Sequence, residues 1–208
     1  TQNQLARAVL PLGTWTKAQV KALAAAQGLQ PISRQESQDV CFIGNQTYSD
    51  FLVQQAHVFS RPGKIVDTEG RAVGRHNGLH RYTIGQRRGI NCPAADAYYV
   101  VRIDVQGNRL IVGRKDQVYT RHCTVRDINW ITPAPSGSMS VNVRIRYRHR
   151  AVTALVTPID TLRAVVRFEQ PQAAVTPGQG AVFYNGDEVL GGGWIAPCRT
   201  VNRKADPL

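Results

Sequence analysis

Cys41 lies at the junction of a polar and an apolar run in the stretch SRQESQDVCFIG, residues 33 to 44. A reactive thiol needs its thiolate form, which a nearby cation or a helix N-terminus stabilises. The closest charge in the sequence is Asp39, which disfavours a thiolate, and the apolar neighbours predict partial burial. These residues favour a structural cysteine, since no His or Asp pattern assigns a base to Cys41. A reactive cysteine stays open as the alternative.

The remaining cysteines are far apart in the sequence, at Cys92, Cys123 and Cys198. No C-x-x-C pair occurs, so we predict no zinc or other metal site in this chain. Four cysteines in 208 residues are too few for a secreted disulfide scaffold, and a reducing, cytoplasmic compartment fits best.

The segment VNVRIRYRHR, residues 141 to 150, alternates between apolar and polar side chains. A period of two predicts a half-buried strand, because successive side chains point to opposite faces. The apolar face carries Val141, Val143, Ile145 and Tyr147, and the polar face carries Asn142, Arg144, Arg146 and Arg148. Same-side positions lie roughly 6.5 to 7 Å apart, which is close to the phosphate spacing of a nucleic-acid strand. The pattern therefore favours an RNA-binding face, with a solvated strand face as the alternative.

The segment GRHNGLHRYTIGQRRGI, residues 74 to 90, is rich in both glycine and basic residues. Its four glycines allow close approach of the backbone to a ligand, although the Walker and Rossmann spacings are absent. Arg87 and Arg88, with Tyr82 nearby, suit contacts to phosphates and to one stacked base. A glycine-rich corner of a β-barrel explains the same composition equally well.

The net charge of +12 and the basic clusters inside structured-looking segments indicate a nucleic acid or another anionic partner. A basic protein without a polyanion partner is the alternative. No apolar run approaches the roughly 18 residues of a membrane span, so we predict no membrane partner. The sequence has no signal peptide pattern and begins without Met, and we expect it to be a fragment of a longer protein.

The elements that must position these residues are mainly β-strands with a few short helices, an α+β class. Thr16 and Gln19 form a capping-box pattern that predicts a helix over 16–28, and a second short helix is predicted over 47–56. From about residue 63 the pattern changes to short strands and turns, with hairpins predicted near Gly107 and Asn108 and, as a type I′ turn, at Asn185–Gly186. Five or six such strands in the second half predict a small closed barrel, and Gly191 to Gly193 predict a close backbone contact within it.

Several of these segments together resemble the tRNA-specific 2-thiouridylases of the MnmA type. The segments are SQDVCFIG, PGKIVD followed by GRHNGLHRYTIGQRRGI, and AAVTPGQGAVFYNGDEVLGGGWI, in the family's order. The resemblance runs from about residue 9 to about residue 196. It implies an enzyme that activates C2 of the wobble uridine of certain tRNAs with ATP and replaces its oxygen by sulfur from a cysteine persulfide. The resemblance assigns that persulfide to Cys41, in a loop of about residues 37–45.

The resemblance also implies a fold and a set of RNA contacts. It predicts residues 1–123 as the end of the catalytic domain plus a small central β-rich domain, and 124–208 as a six-stranded barrel similar to domain 2 of an elongation factor. Its tRNA contacts fall on Arg146, Tyr147 and Gln179, to which the basic patterns add Arg144, Arg148, Arg87 and Arg88.

The implied partners are tRNA and a sulfur-donor or sulfur-relay protein. The family's S-G-G-x-D-S phosphate loop is absent from this sequence, so the resemblance implies that ATP is bound by an N-terminal domain outside it. We therefore expect the isolated chain to bind tRNA without completing thiolation. The alternatives are a noncatalytic RNA-binding module of the same fold, and a general sulfur carrier in which Cys41 accepts sulfur without tRNA.

Overall fold

The computed structural model describes residues 1–29, 48–55, 60–93, 95–147 and 149–197. Cys41, Arg148 and Cys198 lie outside the described residues. The chain divides into two compact units, Thr1–Phe51 and Leu52–Leu208.

The first unit contains the helices α1, Gln2–Leu5, and α2, Lys17–Ala26. The predicted capping box begins α2: the Thr16 hydroxyl accepts from the Gln19 N–H at 3.3 Å, and Gln19 Oε1 accepts from the Thr16 N–H at 2.8 Å. The helix ends in a Schellman motif, since Gly28 has a φ of 67° and the Leu29 N–H donates to the Ala24 carbonyl at 2.9 Å. The predicted first helix is thereby confirmed. Helix α3, Tyr48–Gln55, confirms the second and spans the boundary between the units.

The second unit begins with a four-stranded sheet in the order β2-β1-β4-β3. Its strands are β1 Gly63–Val66, β2 Ala72–His76, β3 Tyr99–Asp104 and β4 Arg109–Gly113. Strands β1 and β4 are parallel, and the other two pairs are antiparallel. A core of buried aliphatic side chains holds the sheet to the segment that follows β2: Ile65, Ile90, Val100, Leu110 and Val112.

Six further strands form a closed antiparallel barrel in the order β10-β5-β8-β7-β6-β9. They are β5 Tyr119–Trp130, β6 Met139–Arg144, β7 Val152–Pro158, β8 Ala164–Ala173, β9 Gly180–Asn185 and β10 Glu188–Ile195. The interior is filled by apolar side chains that include Val125, Val143, Val156, Phe168 and Phe183. The mainly β class and the closed six-stranded barrel are confirmed, whereas the domain division between 123 and 124 stays a prediction.

The hairpin between β9 and β10 forms where it was predicted, but its turn type was wrong. Asn185 pairs with Glu188, so Gly186 and Asp187 are the loop residues. Only Gly186 of these two has a positive φ, 57°, whereas a type I′ turn needs positive φ at both positions. The pattern is that of a type II′ turn, in which glycine takes the first loop position.

Candidate nucleic-acid interface

The alternating segment forms a strand only as far as Arg144. Val141, Val143 and Ile145 are buried as predicted, so the apolar face lies in the barrel interior. Val143 pairs with Val152 of β7, which requires the intervening residues to reverse the chain direction. The His149 N–H donates to the Arg146 carbonyl at 3.2 Å and closes a turn.

This turn changes the predicted arrangement of two site residues. Tyr147 was expected on the apolar face, and this was wrong, because 89% of its surface is exposed. Arg146 is exposed in the bend after the strand, so it does not continue the pleat of Arg144. Arg148 is outside the described residues. Arg144 therefore lies at the end of a strand and Arg146 in its turn, instead of in one row.

Arg144 is held on the outer surface of the barrel by an aromatic ring. Its guanidinium lies 5.6 Å from the ring centroid of Tyr184, within cation–π distance. Arg144 pairs with Val182 of β9, and Tyr184 lies two residues further along that strand. Among the described residues no carboxylate forms an ion pair with this guanidinium, so its N–H donors can bind an oxyanion.

His149 shows the electrostatic character of this turn. Burial is the main cause that lowers the pKa of its imidazole, and the positive charges of Arg146 and Arg144 lower it further. A hydrogen bond with Gln172 acts in the opposite direction. The imidazole is therefore held in its neutral form beside two guanidinium groups, as expected of a site with a positive potential.

Gln179 lies in the turn immediately before β9, and its backbone hydrogen bonds fix its position. Its N–H donates to the Thr176 carbonyl at 3.2 Å, and its carbonyl accepts from the Ile195 N–H at 2.8 Å. Position 182, opposite Arg144, is three residues further along the strand, which corresponds to about 10 Å. The barrel thus places Arg144 on β6 and Gln179 at the end of the turn that leads into the neighbouring strand β9.

Arg87 and Arg88 lie in the sheet region, where both side chains are exposed. They line a cavity of about 480 Å³ together with Cys92 and Tyr98. A further cation lies next to this lining, since the Arg114 guanidinium is 4.9 Å from the Tyr98 ring centroid. Burial raises the pKa of the Cys92 thiol, so this cysteine stays protonated near neutral pH. The cavity therefore offers cationic groups instead of a thiolate.

His76, in the same glycine-rich segment, has a structural position. It is almost fully buried, with its Nδ1 accepting from the Gly78 N–H at 3.1 Å and its Nε2 lying 3.2 Å from the Asn108 carbonyl. Because Nδ1 accepts, the proton is on Nε2 and is donated to that carbonyl. Both ring nitrogens are used inside the fold, and no atom of the imidazole remains for a ligand.

One further thiol, that of Cys123, lies in the barrel. Cys123 is buried in the barrel, and this burial raises the pKa of its thiol to about 12.

Within the described ranges, no group of three or more His, Cys, Asp or Glu side chains could hold a metal ion. In the same ranges, no helix has both the length and the apolar character needed to cross a membrane.

Three family models match consecutive parts of the chain. The "tRNA methyl transferase HUP domain" matches residues 1–45, the "tRNA methyl transferase PRC-barrel domain" matches 49–114, and the "Aminomethyltransferase beta-barrel domain" matches 120–195. The last match coincides with the closed barrel, and the second contains the four-stranded sheet.

Curated relatives match nearly the whole chain. The tRNA-specific 2-thiouridylase MnmA of Desulfosudis oleivorans is 52% identical over 195 residues, which cover 94% of this chain and 54% of that protein. The proteins of the same name from Synechococcus sp. (strain JA-3-3Ab) and Geobacter metallireducens are 46% and 42% identical, covering 93% and 96% of this chain and 52% and 54% of those proteins. The chain belongs to the tRNA-specific 2-thiouridylase family. This thiouridylase-family chain spans about half the length of the curated relatives it matches.

The sequence reasoning missed Tyr184 of this thiouridylase-family barrel as a partner of Arg144. The signal was present in the stretch GAVFYN, where Ala181 and Phe183 are buried and the alternate residues Val182 and Tyr184 lie on the outer face. The pairing of Arg144 with Val182 cannot be read from sequence, because it depends on which strands become neighbours in the barrel.

Proposed function

We propose that this chain takes part in the 2-thiolation of tRNA, where it supplies an RNA-binding surface and the cysteine that carries the transferred sulfur. The observation that carries the proposal is the 52% identity to a tRNA-specific 2-thiouridylase over 94% of the chain. The exposed arginines of the barrel turn and of the sheet cavity support it, because phosphate contacts dominate the affinity of proteins for nucleic acids.

For RNA binding, we assign the primary contacts to Arg144, Arg146, Tyr147 and Gln179 of the barrel. Arg144 is oriented by the Tyr184 ring, and Arg146 is exposed in the adjacent turn. Arg87 and Arg88 supply a second phosphate-binding position at their cavity. Arg148 remains a candidate on the sequence pattern, outside the described residues.

For the chemistry, we assign the persulfide to Cys41, which lies outside the described residues. The terminal sulfur of the persulfide attacks C2 of a uridine whose C2 oxygen has been adenylated, a C–S bond forms, and AMP leaves with the oxygen. A second thiol then attacks the Cys41 sulfur, which breaks the S–S bond, leaves the terminal sulfur on the uridine and forms a disulfide. ATP is a substrate of this sequence of steps, and we assign no described residue to it. The persulfide comes from a sulfur-donor or relay protein, and we place the reaction in the cytoplasm.

RNA binding is tested by fluorescence anisotropy with labelled tRNA at several salt concentrations. Arg146→Ala should weaken binding by about 1 to 3 kcal/mol if the guanidinium contacts RNA. The matched control is Arg163→Ala, because Arg163 is an exposed barrel arginine already paired with Asp160 at 2.6 Å. Equal affinities of wild type, Arg146→Ala and Arg163→Ala would reject the assigned role of Arg146.

Sulfur transfer is tested by incubating the chain with cysteine and a cysteine desulfurase, followed by alkylation and mass spectrometry. A peptide containing Cys41 should gain the mass of one sulfur atom, and Cys41→Ser should abolish this gain. Cys92→Ser is the control, since Cys92 is held as a thiol by burial. RNA binding without sulfur uptake at Cys41 would favour a noncatalytic RNA-binding module instead.

A further inference from the structure

Trp194 lies exposed on the outer surface of the barrel, on β10 between strands β9 and β5. Trp194 of β10 pairs with Gly180 of β9 on one side and with Arg126 of β5 on the other. Directly paired residues of antiparallel strands point to the same face, so these three residues form one row on the barrel exterior. The Trp194 side chain is 52% exposed, and a Cβ added at Gly180 would meet no atom within 4 Å. One flank of the indole is therefore open.

A second row on the same surface leads to the arginine described above. Gly192 of β10 pairs with Val182, which in turn pairs with Arg144. Tyr184 lies two residues beyond Val182 and four beyond Gly180, so about 13 Å of strand separates the level of Tyr184 from that of Trp194. Two aromatic side chains thus flank a shallow stretch that contains the glycines 180 and 192.

The charges of this surface indicate an anionic occupant. Arg144 and Arg146 are exposed at one end of it, and Arg126 lies beside Trp194. Arg126 is ion-paired with Asp127, so part of its charge is offset, whereas Arg144 and Arg146 have no ion pair with a described residue. An apolar protein partner would leave these guanidinium groups without a counter-charge. Unpaired nucleotides satisfy both features, since each has a flat base and a phosphate.

We propose that Trp194 is a stacking platform for an unpaired base, and that the surface formed by Trp194, Gly180, Gly192, Tyr184 and Arg144 binds single-stranded RNA. This proposal rests on the RNA-binding function proposed above and adds the class of RNA that the barrel selects. A double helix hides its base faces within the stack, so only a loop or an unpaired end can place a base on the indole.

The test uses the 208-residue chain and two labelled RNAs: a hairpin with a loop of unpaired uridines, and a blunt-ended duplex with the same number of phosphates. Trp194→Ala should weaken hairpin binding about tenfold, because stacking on an aromatic side chain is lost. Trp194→Phe should retain hairpin affinity within about threefold, since a ring remains. Neither substitution should change duplex binding. Leu155→Ala is the control, because Leu155 is a 43% exposed apolar residue on β7, the strand opposite β10 in the barrel order.

A second measurement does not depend on the stability of the alanine variant. Hairpin RNA should quench the tryptophan emission of the wild-type chain, and Trp194→Phe should remove this quenching while still binding. Equal hairpin affinities of wild type and Trp194→Ala would overturn the stacking role and leave the RNA-binding function intact. Equal losses on hairpin and duplex would also overturn it, because a stacked base would then not be the cause. If Trp194→Ala changed the oligomeric state of the chain in the absence of RNA, the Trp194 surface would instead bind a second copy of the chain, and the RNA proposal would be overturned. Absence of binding to either RNA by the wild type would refute the underlying RNA-binding function.

Discussion

Replacing Gly193 by alanine should destabilise the barrel, because the β5–β10 pair has no room for a methyl group there. Gly193 lies at a register shift between the two strands. A Cβ at this position would meet the Arg126 carbonyl oxygen at 2.5 Å, Val125 Cγ1 at 3.0 Å and the Ile128 Cα at 3.1 Å. Two of these atoms belong to the backbone of β5, so no side-chain rotation relieves the overlap.

The size of the effect follows from the movement required. The contact to the Arg126 carbonyl must open from 2.5 Å to about 3.4 Å, which separates two hydrogen-bonded strands of a closed barrel. Overpacking of this kind costs about 1 to 3 kcal/mol. For a chain of this length, that corresponds to a decrease in Tm of roughly 2 to 12 °C.

Thermal unfolding followed by far-UV circular dichroism measures this decrease. Gly180→Ala is the matched control, because Gly180 lies in the neighbouring strand β9 and a Cβ there meets no atom within 4 Å. The control should unfold at the wild-type temperature or slightly above it, since alanine restricts the unfolded chain more than glycine does. A Gly193→Ala variant as stable as Gly180→Ala would show that the strands separate without cost, and the close-contact reasoning would be refuted.

Three other predictions follow from the shifted pKa values. Cys123, whose pKa is raised to about 12 by burial, should resist iodoacetamide at pH 8 in the folded chain and react in urea; rapid alkylation of the native thiol would contradict its burial. Because the folded-state pKa of His149 is lowered, its contribution to stability should be complete above about pH 6.5 and lost as the pH falls through the folded value; His149→Gln should flatten the Tm profile in that window. Hydrogen bonding from the Arg71 side chain lowers the pKa of Asp67, so its stabilisation should be complete above about pH 3.9 and lost below; Asp67→Asn should remove this acid dependence, and an unchanged dependence would assign it to other carboxyl groups.

Much of the fold could be predicted because its signals are local. Thr16 and Gln19 bond to each other three residues apart, so the start of the helix depends on no distant contact. The buried positions of β6 follow a period of two that any half-buried strand shows. The turn at Gly186 is different, because its type depends on the register between β9 and β10, and that register pairs Asn185 with Glu188. The sequence shows that Gly186 is present, but it does not show that Asn185 pairs with Glu188.

The candidate site was harder to predict because the alternating pattern continues past the end of its strand. Nothing in the sequence distinguishes Ile145 from Tyr147, which both occupy apolar positions of the same period. The ladder with β9 ends where Arg144 pairs with Val182, and the ladder with β7 ends where Val143 pairs with Val152. Without strand partners, the chain turns, and Tyr147 becomes exposed. The residue at which β6 ends depends on its pairing with both β7 and β9, so the alternating pattern of β6 alone cannot predict it.

The end of the strand also accounts for why this part of the barrel suits a polyanion. Within the described residues, Arg144 and Arg146 have no carboxylate at ion-pair distance, whereas Arg126 and Arg163 are each paired with an aspartate. Burial is the main cause of the lowered pKa of His149, and the charges of Arg146 and Arg144 lower it further. An approaching phosphate would be attracted to both guanidinium groups without first displacing a carboxylate. The absence of a carboxylate partner among the described residues makes this turn a stronger candidate for RNA contact than the paired arginines elsewhere on the barrel.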